Sequence, residues 1–121
     1  MADKVKLQNA LTITHGVKRV LSDPSKWTQG SAGRNAHGDR TAATDETTVC
    51  WCLLGAYEKA LVETKLTYGD GGDTALDAFE AVTGSVVAFN DAPYRTFTDV
   101  QAALNKASAQ LEQRITALGK E

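Results

Sequence analysis

Several residue classes are scarce in this chain of 121 residues, and each scarcity excludes something. Two prolines argue against extended linkers, and 42% hydrophobic against 23% charged side chains is a globular balance, not a disordered one. No run of about 18 apolar residues occurs, so no membrane span is expected, and the N-terminal stretch lacks the apolar core of a signal peptide. A cytoplasmic location follows as the expectation. Cysteine is nearly as scarce. Cys50 and Cys52 stand one residue apart within a helical pattern, where successive side chains rotate by roughly 100° and these two face nearly opposite sides. They are predicted to stay unbonded, as in a reducing compartment. A dominant charge sign is also missing: the formal net charge is −2, which argues against general nucleic-acid binding. The charge is nonetheless uneven. Residues 1–40 carry +4, residues 41–80 carry −6 and residues 81–121 are neutral. A local basic face near Lys18, Arg19, Lys26, Arg34 and Arg40 can attract an anion, or simply face the acidic middle of the chain through solvent.

What is present is helical periodicity. Apolar residues at positions 7, 10, 13, 17, 20 and 21 predict a first helix over 4–21, capped by Asp3 and ended by Ser22-Asp23-Pro24. Gly16 inside it implies close packing or a bend. Residues 22–44, rich in Gly, Ser, Asn, Asp and Thr, read as a loop unusually long for a compact domain, with Trp27 as its anchor. A second helix is expected over 45–65, with Val49, Cys52, Leu53, Ala56, Tyr57 and Ala60 on one stripe and Gly55-Ala56 admitting a neighbouring helix closely. A third is expected to about residue 83, capped by Asp73 or Thr74 and stopped by Gly84. Ser85–Phe89 reads as one helical turn. The last helix runs over 96–118, with Thr96 and Asp99 as a capping box. Its 3-4 spaced seam, Phe97, Val100, Leu104, Ala107, Leu111 and Leu118, suits packing within the chain or a homodimer. The fold class is all-α: a single domain over 1–121, four main helices and one long ordered loop.

Few constellations carry recognisable chemistry. The turn at Tyr68–Asp73 superficially resembles a calcium loop but lacks the ligand series and its closing glutamate. Cys50, Cys52, His15 and His37 lack the spacing that converges on zinc, so neither metal nor cofactor is implied. Gly30-Ser31-Ala32-Gly33 lacks the lysine of a phosphate loop, though its amides beside Arg34 can hold an anion. Asn90, Asp91 and Arg95 are the richest cluster. In one reading they form a turn in which Arg95 pairs with Asp91. In the other they join Trp27 and Gln29 around a concave site, where a few polar groups converge against aromatic walls.

Trp27-Thr28-Gln29-Gly30, Cys52-Leu53-Leu54-Gly55-Ala56 and Phe89-Asn90-Asp91 resemble, as an ordered set, a family of small uncharacterised proteins from bacteria and their phages. Its pattern is Trp-x-Gln-Gly, then Cys-x-x-Gly-Ala, then an aromatic before Asn-Asp. The resemblance spans the first helix through Ala107 and marks Trp27, Gln29, Gly30, Arg34, Cys52, Gly55, Ala56, Asn90, Asp91, Arg95 and Thr96. Thr28 stands where the family often has cysteine, which weakens any two-cysteine mechanism, and Phe89 stands where it often has tryptophan. The family has no established activity, so the resemblance supports the fold and the site, Trp27, Gln29, Arg34, Asn90, Asp91 and Arg95, without supplying a reaction; the role expected from the residues is non-catalytic binding of a protein or a small anionic ligand. A phage inhibitor of a host defence system is a special case. A small hydrolase using Asp91 or Cys50 is the alternative.

Overall fold

The computed structural model describes residues 2–119. Helix α1, Ala2–Val20, buries Leu7, Ala10, Ile13, Val17 and Val20, the stripe that a 3.6-residue period dictates. Asp3 lies inside its first turn rather than ahead of it, where a carboxylate favours the positive helix end without capping it. Beyond Leu21, Asp23 accepts from the Ser25 amide and caps a 3₁₀ turn at Pro24–Lys26.

The stretch from there to Cys52 is not the plain loop expected. It holds three two-residue strands, β1 (Gly33–Arg34), β2 (Arg40–Thr41) and β3 (Cys50–Trp51), arranged antiparallel in the order β2-β1-β3. The domain is therefore mostly helical with a small sheet, not purely all-α. Strands this short leave no alternation to read. For the same reason the helix expected from residue 45 begins later: Asp45 accepts from the Thr47 amide at 2.8 Å to make a turn, and α2 runs over Leu53–Thr64. Val49 is exposed, Cys50 lies on β3, and Cys52 is the residue that caps α2. Both cysteines are free, but the opposed helical directions expected for them do not exist.

Helices α1 and α2 pack closely at Gly16, where a Cβ would meet the Ala60 Cβ at 3.2 Å and the Thr64 Cγ2 at 3.3 Å. Lys65 ends α2 in the left-handed region. A π turn, Tyr68–Gly72, then docks on α1. Asn9 donates to the Asp70 carbonyl at 2.8 Å and Lys6 pairs with Asp73 at 2.8 Å. The aspartates of the calcium-like turn are thus used structurally, Asp70 accepting from the Thr67 amide in a capping box. Helix α3, Asp73–Thr83, starts without a side-chain cap and stops at Gly84. Ser85 caps α4, Val86–Asp91. Thr96 and Asp99 exchange bonds of 3.1 Å ahead of α5, Phe97–Gly119. Val100, Leu104, Ala107 and Leu111 of α5 are buried against the chain's own helices, so the heptad-like seam is spent within the domain. Among the described residues, no helix is long and apolar enough to cross a membrane.

Tyr57 meets Phe79 edge-on, with ring centroids 6.1 Å apart. Its hydroxyl is buried and has no hydrogen-bond partner among the described residues. Burial, followed by the nearby Tyr68 and Asp73, pushes its pKa up to about 12. Because the folded pKa lies above the ordinary value of about 10, the stability linked to the neutral phenol is complete below pH 10 and is lost as pH rises through about 12. Tyr57→Phe removes an unsatisfied polar group, so it is expected to stabilise the protein by about 1 kcal/mol at pH 7. It should also flatten the alkaline loss above pH 10. Urea unfolding at the two pH values measures both effects.

Candidate functional site

The site is built around one carboxamide. Asn90 lies four residues after Val86 on the buried face of α4, and its relative exposure is 0%. A buried amide needs two donors for its oxygen and two acceptors for its nitrogen. Asn90 Oδ1 accepts from the Trp27 indole at 2.7 Å and from the Leu53 amide at 2.9 Å. Its Nδ2 donates to the Thr28 carbonyl at 3.1 Å and to Asp91 Oδ1 at 2.9 Å. A flipped amide would set donor against donor and acceptor against acceptor, so the surroundings fix its orientation. Asn90 and Asp91 therefore occupy the last turn of a helix and reach across the chain, rather than making the local turn considered from sequence.

Every other member of the cluster reinforces this clasp. Gln29 donates to the carbonyls of Asn90 (2.8 Å) and Ala92 (3.0 Å), and Asp91 Oδ1 accepts from the Gly30 amide at 3.0 Å. Arg34 spends its guanidinium on its own segment, donating to the Thr28 hydroxyl and to the carbonyls of Gln29 and Gly38 at 3.1 Å each. Trp27 rests against Phe97, with centroids 6.4 Å apart. Arg95 does not pair with Asp91. Its guanidinium stacks 3.7 Å above the Phe89 ring, Nε donates to the Phe89 carbonyl at 2.7 Å, and the nearest carboxylate is Asp99 at 3.9 Å. Trp27, Gln29, Asn90 and Asp91 thus converge, with Arg34 bracing the loop from behind and Arg95 on the rim beyond Phe89.

The clasp also caps α2. A helix start leaves orphan amides; here the Leu53 amide goes to Asn90 and the Gly55 amide to Cys52 Sγ at 3.2 Å. Burial raises the Cys52 thiol pKa against the Gly55 and Leu54 amides, which lower it. The side chain stays a neutral thiol rather than a nucleophilic thiolate. Gly55 admits a close neighbour, as its sequence context suggests, but that neighbour is the Ala32 main chain and not a helix: a Cβ at residue 55 would collide with the Ala32 carbonyl. Among the described residues, no group of three or more His, Cys, Asp or Glu side chains can hold a metal ion.

Sequence reasoning missed a second feature along the same segment. An open groove of about 620 Å³ is lined by Arg19 and Val20 of α1, Lys26, Val49 and Trp51, and Lys59 and Glu63 of α2. Arg19 and Lys26 were legible as part of a basic face. Lys59 was not, because its position on the acidic middle segment conceals that it joins them.

Asn90→Ala strands the Trp27 and Leu53 donors and the Thr28 carbonyl, and is expected to cost about 3 kcal/mol or more in chemical unfolding. Asn90→Asp should cost more at pH 8, because it replaces a donor with a charge facing Asp91, and part of that loss should return near pH 4 as the new carboxyl protonates. Gly55→Ala is expected to destabilise by about 3 kcal/mol through its collision with backbone.

No curated protein matches the chain, and no solved structure does. The sequence profile of a family of unknown function, DUF6197, matches residues 6–110. That span holds every member of the clasp, and the chain belongs to this family.

Proposed function

We propose that the protein acts by binding, not catalysis, and that the clasp of Trp27, Gln29, Asn90 and Asp91 holds the segment over residues 21–52 as a fixed platform for a partner. One observation carries the reading: the polar atoms of Trp27, Asn90 and the Gln29 amide nitrogen are already bonded within the chain. A substrate entering among them would have to break bonds that the buried groups cannot recover from water. What remains open is peripheral: the exposed Asp91, Tyr94, which is 94% exposed, and the Arg95–Asp99 pair beside Phe89. A rigid surface rimmed by an aromatic and paired charges suits recognition of a protein or a small anionic ligand.

A hydrolase built on Asp91 or Cys50 has less support. Among the described residues neither is hydrogen-bonded to a histidine, the arrangement that activates a nucleophile. We further propose a reducing cytoplasm and a bacterial or phage origin, with inhibition of a host defence system as one form of such binding.

Native mass spectrometry of the protein isolated from the cells that make it is expected to retain a stoichiometric protein or small-molecule partner. Asp91→Asn keeps the acceptor for Gly30, so it should change stability by about 0 to 1 kcal/mol while weakening retention of any partner that contacts the carboxylate. Turnover of an ester, amide or phosphoester that Asp91→Asn or Cys50→Ser abolishes without lowering Tm would sink the proposal.

A further inference from the structure

The groove along the platform, beside Trp51, points to a definite occupant. The apolar part of its floor is Val49, which is 48% exposed, and the half-buried Trp51, with Val20 almost wholly covered. Trp51 is held rigidly, since its indole donates to the Ala43 carbonyl at 2.8 Å and its carbonyl accepts from the Thr28 amide at 2.9 Å. At Trp51 the β3 edge is already paired with Trp27, so a ligand in the groove meets side chains there.

Three cations, Arg19, Lys26 and Lys59, stand around this floor, and none is in an ion pair among the described residues. Lys59 and Glu63 are spaced i,i+4 on α2, yet no bridge joins them. Unpaired cations gathered from three elements around an apolar floor complement an anionic ligand that also carries an apolar group. Glu63 at the same groove, on a segment that carries −6, disfavours a continuous phosphate backbone. A peptide with spaced carboxylates and amide donors meets both signs.

We infer that the groove lined by Arg19, Lys26, Trp51 and Lys59 binds a short acidic segment of a partner protein, with one apolar or aromatic side chain seated on Trp51 and Val49. The inference rests on the binding reading above but uses different side chains, so the two can fail separately.

The test uses ¹⁵N-labelled protein and a seven-residue peptide with phenylalanine at its centre and three acidic residues on either side. Titration is expected to move the Trp51 indole signal and the amides of residues 19–26, 49–51 and 59–63, with an affinity that weakens as salt is raised. Lys26→Glu with Lys59→Glu should weaken binding about tenfold or more, and replacing the central phenylalanine by glycine should do the same. Circular dichroism and Tm of the double variant confirm that its fold is kept. If the variant does not fold, Lys26→Gln with Lys59→Gln replaces it, with a smaller loss expected in the same direction. The inference is overturned by unmoved groove signals at millimolar peptide, by shifts confined to the Asp91–Arg95 rim, or by equal binding of a lysine-rich peptide. Tighter binding of a thymidine oligonucleotide at the same signals also overturns it. A partner retained in native mass spectrometry that leaves the groove signals unmoved would defeat the groove assignment and keep the binding reading.

Discussion

The carboxamide of Asn90 joins, at one buried point, the loop at Trp27 and Thr28, the first amide of α2 at Leu53, and Asp91 at the end of its own helix α4. It is a fully buried polar group with its bonding capacity used, so movement of any one part breaks its bond and leaves that part of the carboxamide unpaired in a low dielectric. That penalty is what makes a polar segment of some thirty residues behave as an ordered body. Hydrophobic burial supplies the helical core, but it does not specify where such a segment rests.

Other features follow from that anchor. With Leu53 capped by Asn90 and Gly55 capped by Cys52, α2 starts only where the loop backbone passes beneath it, and Gly55 is the side-chain-free position that lets Ala32 lie there. The sheet is small because its work is local: β1 links β2 and β3 into a brace whose inner edge is tied to Trp27. Arg34, the most obvious anion-binding candidate of the loop, is consumed by three neutral oxygens of its own segment.

The functional consequence is a division of labour between interior and surface. Residues that look like a ligand site from sequence hold the platform, while exposed groups lie at its margins: Tyr94 beside the Arg95–Asp99 pair at one rim, and the unpaired Arg19, Lys26 and Lys59 around Trp51 at the other. A family of unknown function supplies no reaction to place against this arrangement. The geometry itself favours recognition, because buried groups bonded to one another are poor candidates for chemistry and good ones for rigidity.

The sequence by itself determined the helical majority of the fold. The stripes of α1 and α5 repeat often enough for their buried faces to be read, and local chemistry placed the Thr96–Asp99 box and the Gly84 stop, since a cap needs only residues three or four apart. It also singled out Trp27, Gln29, Asn90 and Asp91. Tertiary structure alone decided what these residues do: Asn90 bonds to groups more than thirty residues away, and nothing within its own segment reveals whether an Asn-Asp pair turns the chain, meets a ligand or closes a clasp. The strands at 33–51 and the late start of α2 were equally out of reach, because two-residue strands have no period and the α2 boundary is set by Asn90 and Ala32. Local periodicity encodes which face is buried, and only the assembled chain settles which distant polar group satisfies another.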